Sequence, residues 1–227
     1  MPGAVAIILA AGSGERLGHG EPKAFLQIGG RPLVAFAVEA AAACAAVTSI
    51  VVTVPEGLVE SARSAWDASK PVAVVPGGPT RQASVRAGLA AVPADTPAVL
   101  CHDAARPFAS PDLFSVVLGG LVDAEGAIPV IPVGDTVKRV RDGLVLETEA
   151  RAELGLAQTP QAFATSALRG AHARAEKAGL EFTDDAAILE WAGYRVRAVP
   201  GDAGNFKITT AADLERAERV VTETHRA

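Results

Sequence analysis

Glycines and cations cluster early in the chain, in Ala10-Ala11-Gly12-Ser13-Gly14-Glu15-Arg16-Leu17-Gly18 and then Pro22-Lys23. Glycines let successive backbone N–H groups turn toward an anion, so Ala10, Ala11, Gly12, Ser13 and Gly14 read as a phosphate cradle. A guanidinium at Arg16 and an ammonium at Lys23 suit it to clamp a triphosphate and the charge that develops in phosphoryl or nucleotidyl transfer. Two familiar phosphate loops do not fit. The dinucleotide fingerprint G-x-G-x-x-G fails because Gly18 comes one position late, and the P-loop fails because Lys23 is displaced from the glycines and followed by Ala24. The bland alternative is a glycine-rich turn with two surface cations.

A second constellation is Cys101-His102-Asp103-Ala104-Ala105-Arg106-Pro107, which follows an apolar run. It places an acid and an arginine at the carboxyl end of a strand, where ligands bind in open α/β sheets. Asp103 suits Mg²⁺, because that ion takes one or two carboxylates together with substrate phosphates. His102 reads as structural.

The elements that must hold these residues follow from the apolar pattern. Short β-branched runs alternate with alanine-rich segments, which predicts βαβ units around a mostly parallel sheet buried on both faces. Strands are expected at Ala4 to Ala10, Ser49 to Val54, Val72 to Val75, Ala98 to Cys101, Ala127 to Pro132 and Tyr194 to Val199. Helices are expected at Pro32 to Ala46, Thr80 to Ala91, Pro111 to Asp123 after the cap Ser110, Ala167 to Ala178, Asp185 to Trp191 and Ala211 to Thr224. The segment Asp135 to Ala150 breaks this rhythm, with two alternating runs joined by Arg-Asp-Gly, and Asp-Gly is a strong hairpin signal. Such a β-arm, about 133–153, has little core of its own and is expected to pack on another surface.

Composition narrows the class. A chain of 227 residues with 49% hydrophobic residues can bury a sizeable core, and one domain over 1–227 is expected, with the arm as an excursion. The net charge of −5 leaves no footprint for nonspecific nucleic-acid binding. Cys44 and Cys101 lie in apolar runs and form no CxxC pattern, so both read as core residues. No apolar run is long enough to span a bilayer and the start lacks a basic signal region, so a cytoplasmic protein is expected.

The motifs then resemble, over essentially the whole chain and in order, those of the 2-C-methyl-D-erythritol 4-phosphate cytidylyltransferases of the non-mevalonate isoprenoid pathway, within the sugar-nucleotidyltransferase group. They are AAGSGERLG with PKAF, GGPTRQASV (Gly77 to Val85), HDAARP (His102 to Pro107), DTVK (Asp135 to Lys138), Arg151 before AQTPQAF, TDDA (Thr183 to Ala186) and NFKIT (Asn205 to Thr209). The resemblance implies an α/β fold with a Rossmann-like sheet of the nucleotide-diphospho-sugar transferase type, flanked by helices. It implies a reaction of CTP with 2-C-methyl-D-erythritol 4-phosphate that yields the diphosphocytidyl product and diphosphate. It also implies Arg16, Lys23, Arg151 and Lys207 as catalytic residues, Gly77, Gly78, Arg81 and Ser84 as a cytosine-reading segment, and Ala104 as a CTP-binding residue near the ribose. Asp103 would hold Mg²⁺, and Arg106, Thr136, Arg151, Thr183 and Lys207 would bind the acceptor. A homodimer clasped through the arm is implied too.

Taken alone, Thr183-Asp184-Asp185 reads as a helix start with carboxylates near its positive end, and the NFKIT stretch as an ordinary loop. Trp66 and Trp191 read as packing. His19, His172 and His225 have no metal spacing, and the charges at Glu176-Lys177 and Arg216 to Arg219 read as solvated helix faces. The rival activities are D-ribitol 5-phosphate cytidylyltransferase, another nucleotidyltransferase acting on a molybdopterin or hexose phosphate, and, from a different class, a catalytically silent nucleotide-binding protein. An NAD-dependent dehydrogenase is weakened by the glycine spacing.

Overall fold

Along the first strand, β1 (Ala4–Leu9), the residues Ala4, Ala6 and Ile8 face one apolar cluster while Val5 and Ile7 face another. Both faces are covered, which is why this strand is a continuous apolar run rather than an alternating one. The computed structural model describes residues 3–12, 22–63, 65–66 and 68–224. After β1 come the short strands β2 (Gln27–Ile28) and β3 (Arg31–Pro32), then α1 (Leu33–Ala43), β4 (Val47–Val54), α2 (Val59–Arg63) and β5 (Val72–Pro76). Next are α3 (Arg81–Ala91), β6 (Ala98–Asp103), α4 (Pro111–Gly119) and β7 (Gly126–Pro132). The hairpin β8 (Lys138–Arg141) and β9 (Leu144–Thr148) precedes β10 (Gly155–Ala157), β11 (Gln161–Ala164), α5 (Thr165–Ala178), α6 (Asp185–Trp191), β12 (Val196–Pro200) and α7 (Ala211–Thr224).

Eight strands form the main sheet in the order β10-β7-β11-β6-β1-β4-β5, with β12 also paired to β7. The pairs of β1 with β4 and β6, of β4 with β5, and of β7 with β12 are parallel. β11 runs antiparallel to β6 and β7, and β10 antiparallel to β7. The sheet is therefore mixed, with the expected parallel core; β10 and β11 escape the sequence pattern because each is only three or four residues long. From β1 the chain winds outward through β4 to β5, then crosses back to β6 on the other side of β1. That reversal opens a crevice at the carboxyl ends of β1 and β6, the usual ligand position in such sheets.

One apolar cluster lies under α1 and α4, with Val34, Val38, Phe114 and Val117. The other lies under α3, α5 and α6, with Val85, Leu168, Ile188 and Leu189. Cys44 and Cys101 are buried free thiols, as their apolar surroundings predict. A third, smaller cluster joins Leu26, Ile28 and Leu33 to Ile208, Ala217 and Val221 of the final loop and α7. It ties the segment after the first loop to the segment that carries Lys207.

Helix ends follow local chemistry. Ser110 caps α4, its hydroxyl accepting the Leu113 N–H at 3.2 Å, and Thr80 caps α3 in the same way at 3.1 Å. Pro32 precedes α1 rather than opening it, and α1 ends at Ala43, three residues earlier than expected. The run Glu56 to Arg63 forms a short helical segment that the sequence pattern does not mark. At the arm, Asp142 and Gly143 have φ of 50° and 79°, the left-handed pair of a tight hairpin turn that Asp-Gly favours. Every residue of β8 and β9 is exposed.

Candidate functional site

The crevice is built where β1 and β6 end side by side. The Ala10 N–H bonds Thr53 O at 2.8 Å and the Ala104 N–H bonds Leu9 O at 3.1 Å, so the start of the first loop and the Asp103-Ala104 corner are fixed to one another. Ala10 and Ala104 are both buried; small side chains permit this close approach. Ala11 and Gly12 follow at the rim, whereas Ser13, Gly14, Arg16 and Gly18, with His19 and His225, lie outside the described residues. Lys23 is half-buried on a single tight turn, Lys23–Phe25, closed by the Phe25 N–H on Pro22 O at 2.9 Å.

The Gly77-Gly78 segment reaches the crevice from the end of β5. A Cβ on Gly77 would stand 2.3 Å from the Ala11 Cβ, and one on Gly78 would stand 2.4 Å from the Ala83 Cβ, so both positions admit only hydrogen. The Ser84 hydroxyl braces this turn from within: it accepts the Gly78 N–H at 3.1 Å and lies 2.9 Å from Thr80 O. With the Gly77 N–H likewise held by Val54 O at 2.8 Å, the segment leaves its carbonyl oxygens, not its N–H groups, for a ligand.

Asp103 is the centre of the charged groups. Its Oδ2 accepts from Lys207 Nζ at 2.6 Å and its Oδ1 from Arg81 Nε at 3.2 Å. Burial alone would raise its pKa, but the Arg81 and Lys207 cations outweigh that and hold the carboxyl far below the ordinary carboxylate range. Arg81 also donates from Nη1 to Asp185 Oδ2 at 2.8 Å, and the two carboxylates keep its guanidinium charged against the cost of burial. Cys101, beneath them, has its thiol pushed up by burial and stays protonated.

Behind Asp103 a polar seam fixes the corner. The Asp103 N–H donates to Thr159 Oγ1 at 3.0 Å, and that hydroxyl lies 3.1 Å from His102 Nδ1. His102 Nε2 donates to Arg106 O at 3.1 Å, a carbonyl that can only accept, so in the neutral ring the proton is on Nε2 and Nδ1 accepts from the Thr159 hydroxyl. Burial lowers the His102 pKa to about 4, which matches the structural role expected of it. The Arg106 guanidinium is committed to two carbonyls, Asn205 O at 2.8 Å and Ala157 O at 3.3 Å, tying the corner to the loop that holds Lys207.

That loop is anchored throughout. Asn205 Nδ2 donates to Thr159 O at 2.8 Å, and the Ile208 N–H to Ala105 O at 2.9 Å. Asp213 accepts from the Thr209 N–H and hydroxyl and the Thr210 N–H, each at 2.8 Å, and these bonds lower its pKa to about 2. Arg216 is not simply solvated as expected, because its guanidinium lies 3.9 Å from the centre of the Phe206 ring and covers it.

Thr183, exposed, precedes Asp184, which caps α6 and accepts from Gln161 Nε2 at 2.9 Å. Thr136 and Arg151 sit with the arm. Arg151 donates to Gly134 O at 2.7 Å, in a groove of about 710 Å³ lined also by Val130, Leu154 and Pro200. The crevice thus gathers Ala10, Ala11, Gly77, Gly78, Arg81, Asp103, Ala104 and Lys207, with Arg106 behind it, while Thr136 and Arg151 belong to the arm's root.

Two residues escape sequence reasoning. Asp185 is expected only as part of a helix start, and His172 only as a histidine without metal spacing, yet both are buried and bonded to each other at 3.0 Å. The signal is present. Asp185 precedes Ile188 and Leu189 by three and four positions, and His172 follows Leu168 by four, so helical periodicity places both on apolar faces. A carboxylate on such a face requires a cationic partner.

Among the described residues no cluster of three or more His, Cys, Asp or Glu side chains could hold a metal. Asp103 nonetheless fits a magnesium ion: it is a hard oxygen donor that stays ionised, beside a crevice suited to phosphates that would supply further oxygens.

The family model of 2-C-methyl-D-erythritol 4-phosphate cytidylyltransferase (IspD) matches residues 4–223. A protein of that name from Rhodococcus opacus (strain B4) is 46% identical over 221 residues, covering 96% of this chain and 95% of the relative. The bifunctional enzyme IspD/IspF of Clavibacter michiganensis is 47% identical over 223 residues, 95% of this chain but 53% of that protein. The chain thus spans about half the length of its bifunctional relatives. The crystal structure of 2-C-methyl-D-erythritol 4-phosphate cytidylyltransferase from Thermus thermophilus superposes with a TM-score of 0.78 at 37% identity, covering 95% of this chain and 98% of that one.

Proposed function

The chain belongs to the 2-C-methyl-D-erythritol 4-phosphate cytidylyltransferase family, and from that premise we propose that it transfers the cytidylyl group of CTP to 2-C-methyl-D-erythritol 4-phosphate, releasing diphosphate. The observation that carries this reading is Asp103 held between Arg81 and Lys207 at the carboxyl end of β6, facing the glycine-bearing end of β1. That crevice suits a polyanion on one side and a second polyanion on the other.

In the reaction an oxygen of the acceptor phosphate attacks the α-phosphorus of CTP in line. The bond from that phosphorus to the β-phosphate bridging oxygen breaks, and diphosphate leaves with the electron pair. No general base is needed, because a phosphate monoester loses its second proton with a pKa of about 6. The protein's task is to neutralise and align. Arg16 and Lys23 would take the triphosphate and the charge on the α-phosphoryl oxygens. The backbone of Gly77 and Gly78 would read the cytosine edge, with Ser84 bracing the turn and Arg81 fixing its helix to Asp103. Lys207, Thr183, Thr136 and Arg151 would hold the acceptor, while Arg106, which the resemblance would also place there, is engaged with Asn205 O and Ala157 O and would fix the loop that carries Lys207. Asp103 would hold Mg²⁺, which when bound neutralises phosphate oxygens and makes the α-phosphorus more electrophilic.

The arm supports a homodimer. Val140, Leu144, Val145 and Leu146 expose 57, 69, 62 and 51% of their surface, and an isolated two-stranded hairpin is marginal in water. A second copy of the chain would cover these side chains and place Arg151 beside its own crevice. Dependence on CTP suits the cytoplasm.

Diphosphate release is the direct test, with CTP, Mg²⁺ and either 2-C-methyl-D-erythritol 4-phosphate or D-ribitol 5-phosphate. Strong preference for the first acceptor is expected. Preference for the second would transfer the same chemistry to polyol phosphates, and CTP binding without release would mark a silent nucleotide-binding protein.

A further inference from the structure

Asp185 is fully buried, and its oxygens are divided between two partners: Oδ2 accepts from Arg81 Nη1 at 2.8 Å, and Oδ1 from His172 Nε2 at 3.0 Å. The helix start does not need this carboxylate, since Asp184 already caps α6 by accepting the Ala187 N–H at 3.0 Å. A charge so deep is strongly unfavourable unless well paired, so its placement calls for a reason beyond capping.

Arg81 shows the reason. A guanidinium beside a carboxylate favours two parallel bonds to it. Here the contact to Asp103 is single and longer, 3.2 Å from Nε, and the buried Nη2 that shares that edge has no partner. The shorter bond runs the other way, to Asp185. His172, Asp185, Arg81 and Asp103 thus form a chain of side chains from α5 through α6 and α3 to the crevice.

We propose that Asp185, oriented by His172, is a positioning residue that draws Arg81 away from a bidentate grip on Asp103, leaving on Oδ1 one long bond from Nε at 3.2 Å that the divalent cation accompanying the nucleotide can displace. This inference rests on reading Asp103 as the metal-binding carboxylate. Asp185 touches neither nucleotide nor metal in this arrangement; it sets how strongly Arg81 competes for Asp103.

The experiment is calorimetric binding of CTP without acceptor over a series of Mg²⁺ concentrations, with thermal melting as the measure of folding. Asp185→Asn is expected to raise the Mg²⁺ concentration at half-effect by about tenfold, within the range for groups that orient a metal ligand. CTP affinity without metal should stay near wild type. His172→Leu should shift the midpoint in the same direction, and His172→Gln, which keeps a donor, should restore it. In an Arg81→Gln background Asp185→Asn should add nothing, because the intermediary is gone. A folded Asp185→Asn protein with the wild-type midpoint overturns the proposal. If Asp185→Asn does not fold, equal wild-type midpoints for His172→Leu and His172→Gln overturn it instead. Asp103→Asn separates the two ideas: an unchanged Mg²⁺ midpoint there defeats the metal reading itself, whereas its loss beside an indifferent Asp185→Asn defeats only the positioning role.

Discussion

Lys207 Nζ stands 2.6 Å from Asp103 Oδ2, joining residues that are 104 positions apart in the chain. A lysine on that oxygen competes with a divalent cation and, in the proposed reaction, also serves the acceptor phosphate. Lys207→Ala is therefore expected to lower kcat/KM for the acceptor by about 100-fold or more, the range for removing one electrostatic stabiliser. The Mg²⁺ requirement should fall or stay level, measured by diphosphate release over a metal series. A rise in the metal requirement would show that Lys207 assists the metal rather than competing with it.

Gly78 offers a steric test of the base-reading turn. An added methyl would meet the Ala83 Cβ at 2.4 Å and the Ala83 carbonyl carbon at 2.9 Å, and backbone cannot swing aside as a flexible side chain can. Gly78→Ala should raise the KM for CTP at least about tenfold, because small displacements at such sites are costly. Gly57→Ala, where nothing lies within 4 Å, should leave steady-state kinetics at wild-type values. Equal effects of the two substitutions would count against the turn.

His102 predicts a pH dependence of stability. Its folded pKa is about 4, below the ordinary value of about 6.5. Between these values the unfolded chain holds a proton that the folded chain lacks, so stability falls as pH drops through that window. At roughly 1.4 kcal/mol per pH unit the full loss is about 3 kcal/mol. Asp103 and Asp185 have depressed pKa values, so the stability they contribute is present above about pH 4 and is lost only below it. Urea unfolding of His102→Gln from pH 7 down to about pH 2 should lack most of the first decline and keep the second, which sets in below about pH 4. An unchanged decline between pH 6.5 and 4 would assign it to other groups.

The arm provides the fourth test. Val145→Asp places a charge among side chains that a second copy would have to bury. Sedimentation should show a dimer for the parent and a monomer for the variant, with melting of the main fold little changed. A parent that sediments as a fully active monomer would remove the arm from the mechanism.

Much of this molecule is legible in one dimension. The run Ser49 to Val54 is apolar enough to mark a strand covered on both faces, which in the fold begins two residues earlier at Val47; the periodicity of Ala211 to Thr224 marks α7, and Asp142-Gly143 marks the hairpin. These depend on local conformational preference and on which faces must leave water, which neighbouring residues determine. β10, β11 and the short α2 are less legible, because three to five residues carry too little periodicity to distinguish a strand or helix from a loop.

The order of the chemical groups is written in the chain: the glycine loop after β1, the acid ending β6, and the lysine in the final loop. Their pairing is a product of packing. Arg81 could have answered many acids, and only the fold brings it between Asp103 and Asp185, 22 and 104 positions away. Periodicity shows that a carboxylate faces inward and needs a cation, but Coulomb attraction and hydrogen bonding act through space. The choice of partner therefore waits on the packing of α3, α5 and α6 against the end of β6.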